Sequence, residues 1–257
     1  MTDGMTIAAE GGALWLTLDR PDQLNALSAE MADRLTEEVE RAAGRDDVRV
    51  VVLRGSGAAF SAGADLSGEN AHENFDVTSL DRANRMVRAL TGSPKPCVAA
   101  VNGVAAGLGC SAALACDLVV AAESASFLLA FTRIGLMPDG GATATVAASV
   151  GRARAMRMAL LAEAMPAEEA YAVGLVSHLV PDAELDETVS ALVRRLAAGP
   201  PLGYTATKKA VNAAALDRLE DALERERTGQ TVLLRTADVA EGMRAFGEKR
   251  RPLFRGE

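Results

Sequence analysis

The chain has 257 residues, 49% of them hydrophobic, and a formal charge of −8, which suits a sizeable folded core and excludes an intrinsically disordered class. The acidic balance argues against nucleic acid or an anionic membrane surface as a partner, because both would repel the protein as a whole. No apolar run reaches the length of a membrane span, and residues 1–12 lack a basic start followed by an apolar stretch, so the expected location is the cytoplasm.

In chain order, residues 13–18 have the apolar content of a strand, which Asp19-Arg20-Pro21-Asp22 breaks. Ser28 is a candidate N-cap, and Met31, Leu35, Val39 and Ala42 then recur at helical spacing. Val50-Val51-Val52-Leu53, flanked by Arg49 and Arg54, is a short, continuous and largely β-branched run, as in a strand buried on both faces. Strand, helix and strand imply a parallel crossover and an α/β fold class.

Residues 68–78 are polar and aperiodic. Helical spacing returns over 80–90 until Ser93-Pro94-Lys95-Pro96 stops it. A strand is expected at 97–101, a helix over 110–116 with its start near Gly109, and a strand at 117–122. Pro138-Asp139-Gly140-Gly141 reads as a turn. Helices are then expected over 142–150, 152–161 and 167–173, with Pro166 in the first turn of the last. A strand should occupy 174–180, followed by a helix carrying Leu185, Val189, Leu192, Val193 and Leu196. Gly199-Pro200-Pro201 is the strongest break in the second half. Helical composition resumes over 206–214, 216–234 and 239–246, giving an α/β core at 1–198 and a helical region at 199–257.

Few residues suggest familiar chemistry. Cys97, Cys110 and Cys116 lie in apolar sequence and read as core thiols; His72 and His178 are the only histidines, so no cluster has the spacing of a metal site. Neither a G-x-S-x-G elbow nor a P-loop occurs. Two small-residue loops stand out instead: Phe60-Ser61-Ala62-Gly63-Ala64-Asp65-Leu66 and Asn102-Gly103-Val104-Ala105-Ala106-Gly107-Leu108-Gly109-Cys110, each after a buried strand candidate. Small side chains let backbone N–H groups approach a ligand, so the pair could stabilise one anionic oxygen; close-packed tight turns are the alternative.

These loops, together with Leu18-Asp19-Arg20-Pro21, Asn25-Ala26-Leu27 and Phe246-Gly247-Glu248-Lys249-Arg250-Arg251-Pro252, resemble the crotonase (enoyl-CoA hydratase/isomerase) family. The resemblance implies a spiral of ββα units and C-terminal helices that assemble a homotrimer or a dimer of trimers. It implies an acyl-CoA substrate with coenzyme A as part of it, no separate cofactor and no metal. By match to the family pattern, the backbone N–H groups of Ala64 and Leu108 would hold an enolate oxygen. Gln23, Leu24, Ala62, Ala64, Phe246 and Lys249 would contact coenzyme A, with Lys249-Arg250-Arg251 suited to its 3′-phosphate.

Hydratases of the family use two glutamates, and this chain has Ser111 and Phe131 at those positions. Asp139 remains, at a turn where some family isomerases keep their single carboxylate. The favoured expectation is therefore 3-enoyl-CoA to 2-enoyl-CoA isomerisation with Asp139 as proton shuttle. Two alternatives stay open: hydration with a non-standard acid or base such as Glu69, or with a water held by Ser111, and a catalytically weak acyl-CoA-binding homologue. An Asp139 that only caps the next helix is the plain reading of the same turn.

Overall fold

The computed structural model describes residues 4–67 and 75–257. Numbered along the chain, strands β1 (Met5–Glu10), β2 (Ala13–Leu18), β3 (Val50–Gly55), β5 (Cys97–Val101), β7 (Leu118–Ala122) and β10 (His178–Val180) form a six-stranded sheet in that order. β1 and β2 are antiparallel; the remaining neighbours are parallel. Successive side chains of the central strands enter two separate cores: Val51, Leu53, Ala99 and Val101 pack on one face, and Val50, Val52, Val98 and Ala100 on the other. That double burial explains why these strands read as continuous apolar runs.

Helix α1 (Ala29–Ala42) starts at Ser28, whose side chain accepts from the N–H of Met31, and it buries Met31, Leu35, Val39 and Ala42. It links β2 to β3 as the expected parallel crossover. A second, four-stranded sheet is built from β4 (Ala59–Ser61), β6 (Val104–Ala106), β8 (Ser126–Leu128) and β9 (Met165–Pro166). Each long strand is thus followed by a short one and a helix: β3 and β4 lead to α2 (Val77–Gly92), β5 and β6 to α3 (Leu108–Leu114), β7 and β8 to α4 (Ala142–Leu161). This is the spiral of ββα units that the resemblance implies.

The strands of the second sheet are absent from the sequence reading because two or three residues carry too little periodicity to register. β1 escapes it because most of its residues are exposed at the sheet edge. Several boundaries move. The helix expected over 110–116 runs from Leu108 to Leu114. The strand expected over 174–180 shrinks to His178–Val180, because Leu175 and Val176 are buried in a turn that follows Gly174 at φ +81°. Pro166 is the N-cap of α5 (Ala167–Ala172) rather than a residue of its first turn. Gly151, at φ 76°, separates the two segments of α4 as the sequence suggests.

After α6 (Leu185–Ala197), the chain continues as α7 (Pro201–Ala215), α8 (Leu219–Leu233) and α9 (Ala237–Gly247). α7 starts at the proline itself and buries none of its residues. Its anchor is Lys208, whose Nζ lies 2.8 Å from Oδ2 of Asp117 and donates to the carbonyl of Leu90 at 2.7 Å. Among the described residues no helix is long and apolar enough to cross a membrane.

Candidate active site

β4, β6 and β8 are mutually parallel, with Ala59 opposite Val104 and Ala106 opposite Leu128. Their carboxyl ends therefore emerge on one side, which brings the segments after them together, as ligand sites of parallel sheets generally require. Segment 24–27 clamps the first loop. Ala62 donates to the carbonyl of Leu24 at 2.8 Å, Leu27 donates to that of Gly63 at 2.7 Å, and Asp65 donates to that of Leu27 at 3.0 Å. The N–H of Gly63 is held by Oγ of Ser61 at 3.2 Å. Arg20 locks the far side through Asp65 at 2.7 Å and the Ala26 carbonyl at 2.9 Å.

These bonds leave the amide of Ala64, at the centre of the loop, over. The N–H of Ala64 has no acceptor among the described residues, and neither has that of Leu108, the first residue of α3. Gly63 makes their approach possible: its φ is +97°, and a Cβ there would stand 2.7 Å from the Ala106 carbonyl and 3.2 Å from the Leu108 nitrogen. Two spare donors on touching loops form an arrangement able to stabilise an oxyanion.

Both loops open on a cavity of about 300 Å³ lined mainly by apolar side chains, among them Leu66, Phe75, Leu80, Phe131, Ile134 and Leu136. Asp139 is the one carboxylate lining it among the described residues, and Arg133 the one cationic side chain. The guanidinium of Arg133 is anchored on the Ala162 carbonyl at 2.7 Å. Oδ2 of Asp139 accepts from Nε2 of Gln230 at 2.9 Å. Burial pushes the Asp139 carboxyl up to about 7; the Gln230 bond opposes that rise and the charge of Glu226 adds to it. A carboxyl poised near neutrality can both take and return a proton.

Of the residues singled out in the sequence, Leu24, Ala62, Ala64, Leu108, Asp139 and Phe246 all line this cavity. Gln23 and Lys249 are exposed and do not. In the basic cluster Arg250 is engaged by Glu241 and Glu248. Ser111 is fully buried, its Oγ donating to the Asp139 carbonyl at 2.8 Å, so it supports the turn rather than facing the cavity. Asp65 and Asp117 hold backbone and ion-pair contacts, and His178 sits on the edge strand with its ring against Ser177. Glu69, His72 and Glu73 lie outside the described residues.

The sequence reading missed two residues of α8. Glu226 is 1% exposed and accepts from the N–H groups of Gly141 and Thr143 and the hydroxyl of Thr143, capping α4 in place of a side chain of its own. Gln230 is fully buried and holds both Asp139 and the backbone of Met137. A signal existed: both polar residues fall on the stripe of Leu219, Ala222 and Leu223 that α8 buries, where only partnered polar groups are tolerated.

The model of the enoyl-CoA hydratase/isomerase family matches residues 8–257. A probable enoyl-CoA hydratase of Rhodobacter capsulatus is 46% identical over 250 residues, covering 96% of each chain. The 1,2-epoxyphenylacetyl-CoA isomerase of Escherichia coli K12 is 40% identical over 253 residues, 96% of this chain and 97% of that one. The crystal structure of an enoyl-CoA hydratase from Mycobacterium avium subsp. paratuberculosis K-10 has a TM-score of 0.93 at 45% identity, covering 99% of this chain and 100% of the other. Paired spare amides beside a buried carboxyl and a match running nearly end to end lead to one conclusion: the chain belongs to the enoyl-CoA hydratase/isomerase family.

Proposed function

We propose that the protein isomerises 3-enoyl-CoA to 2-enoyl-CoA, with Asp139 as the single proton shuttle and the amides of Ala64 and Leu108 holding the enolate. The carrying observation is that Asp139, whose carboxyl is pushed up to about 7 and is the one carboxylate lining the cavity among the described residues, stands in a cavity bordered by the unpartnered amides of Ala64 and Leu108. Ionised Asp139 takes a proton from C2, and the C–H electron pair delocalises onto the thioester oxygen. The electron pair then returns through the dienolate to C4, where the same carboxyl delivers its proton, so the double bond moves and nothing else is consumed. The two amides stabilise the charge while it resides on oxygen.

Coenzyme A enters with the substrate, its nucleotide end toward Leu24, Ala62 and Phe246, with Gln23 and Lys249 outside the cavity as later contacts; no further cofactor or metal takes part. Isomerase activity is also the class named for the Escherichia coli relative. Exposed apolar side chains on the C-terminal helices, such as Leu202 at 84% and Val232 at 64%, support self-association, which we take to be a homotrimer or a dimer of trimers and which light scattering would test; the cytoplasm is the proposed location.

Hydration is the second reading, favoured by the name of the Rhodobacter relative. It needs a base for water and an acid for the α-carbon, whereas Phe131 fills one expected position and Ser111 is spent on the Asp139 carbonyl. Assaying wild type and Asp139→Asn with 3-enoyl-CoA and with 2-enoyl-CoA plus water separates the readings. The expected result is isomerase turnover in wild type and a loss of at least about a hundredfold in the variant. Hydration without isomerisation would overturn the proposal; coenzyme A binding without turnover on either substrate would favour a binding homologue.

A further inference from the structure

The two oxygens of Asp139 are not equivalent, and Gln230 makes them so. Its carboxamide is read unambiguously from the backbone it meets. The N–H of Met137 donates to Oε1 at 3.2 Å, and the Met137 carbonyl accepts from Nε2 at 2.8 Å; neither contact survives an exchange of the amide's oxygen and nitrogen. Nε2 is therefore the atom beside Asp139, and its second hydrogen goes to Oδ2 at 2.9 Å. Oδ1 has no hydrogen-bond partner among the described residues, in a side chain that lines the cavity.

We propose that Gln230 is a positioning residue that confines the exchangeable proton of Asp139 to Oδ1, the oxygen left free to meet the substrate. A carboxylic acid accepts well through its carbonyl oxygen and poorly through its hydroxyl oxygen. Protonation of Oδ1 keeps the Gln230 bond; protonation of Oδ2 forfeits much of it. The carboxyl then gives and takes at one atom without rotating between the two transfers, which suits a proton that leaves C2 and returns at C4. The inference rests on the isomerase reading for its catalytic meaning, but the placement of the proton is a property of the free protein.

The other charged groups near Asp139 do not duplicate this role. Glu226, one turn earlier on α8, acts through its charge while its oxygens are taken by Gly141 and Thr143. Arg133, from the 3-10 segment Ala130–Ile134, binds Ala162. From α3, Ser111 meets the Asp139 carbonyl, not its carboxyl.

The test combines Gln230→Met, which keeps length without hydrogen-bonding capacity, with infrared difference titration of the Asp139 carboxyl. Loss of the bond should lower kcat about tenfold or more with KM within about twofold. The acid limb of the kcat/KM profile should move to higher pH, because the bond favours the ionised form. In wild type the protonated carboxyl should show the lowered C=O stretch of a hydrogen-bonded carbonyl, and this reading does not depend on the variant folding. A wild-type band at the free-carbonyl position, or a folded variant with unchanged kcat and acid limb, overturns the proposal. A wild type without isomerase activity but with the lowered band would sink the functional reading alone.

Discussion

Replacing Leu108 by proline removes one of the two candidate oxyanion donors while preserving the loop that carries it. Position 108 opens α3, where proline is well tolerated. The preceding Gly107 has φ 50° and ψ −128°, outside the α region that a following proline disfavours. The Leu108 N–H bonds to no acceptor among the described residues, so no internal hydrogen bond is sacrificed. What is lost is the contact to developing negative charge, about 3 kcal/mol for one donor, or on the order of 10² in kcat. Leu108→Ala is the control, since it trims the side chain that lines the cavity and keeps the amide. Stopped-flow turnover of 3-enoyl-CoA by both variants reads the difference directly. If the proline variant is folded by circular dichroism yet turns over within about fivefold of the alanine variant, the Leu108 amide is not a donor and the oxyanion assignment fails.

If Asp139 is the base of the proposed isomerisation, the acid limb of kcat/KM should have its midpoint near pH 7, because burial pushes its carboxyl up to about 7; a midpoint near 4 in stopped-flow profiles would assign the base elsewhere. The same shift works against stability at high pH. An unfolded Asp titrates near 3.9, so the folded protein binds the proton more tightly, and this contribution, complete below about pH 4, is lost as pH rises through 7. Asp139→Asn should accordingly gain in Tm over wild type more at pH 8 than at pH 5, and calorimetry showing equal gains at both would refute the burial argument. Glu226→Ala strands the N–H groups of Gly141 and Thr143 at the start of α4 and should lower stability by roughly 2–4 kcal/mol in urea unfolding; a change below about 1 kcal/mol would mean water replaces the carboxylate. Gly63→Ala forces a Cβ to within 2.7 Å of the Ala106 carbonyl at φ +97°, so it should both destabilise the fold and abolish turnover, whereas an active, stable variant would show that the loops can separate.

The gross architecture was legible because its evidence is local. β-branched runs such as residues 50–53 appear wherever a strand is buried on both faces, and the stripe of Met31, Leu35 and Val39 appears wherever one helix face is buried. Small-residue loops after such strands marked where amides could be exposed; it was the family resemblance that singled out Ala64 and Leu108 within them and, through Ser111 and Phe131 at the glutamate positions, Asp139. The short strands of the second sheet were invisible for the opposite reason. Pairing of β4 with β6, which sets the two loops side by side, leaves no periodic trace in either segment.

The sequence by itself therefore determined which groups were available: two loops able to expose their amides, and a carboxylate at the Pro138-Asp139-Gly140-Gly141 turn. Only the tertiary structure decided what those groups became. The partner of Asp139 lies 91 residues away on α8, and its elevated pKa comes from the low polarity of a cavity assembled by segments distant in the chain. Desolvation and hydrogen bonding act between neighbours in space, and chain order specifies those neighbours only after the fold has brought them together.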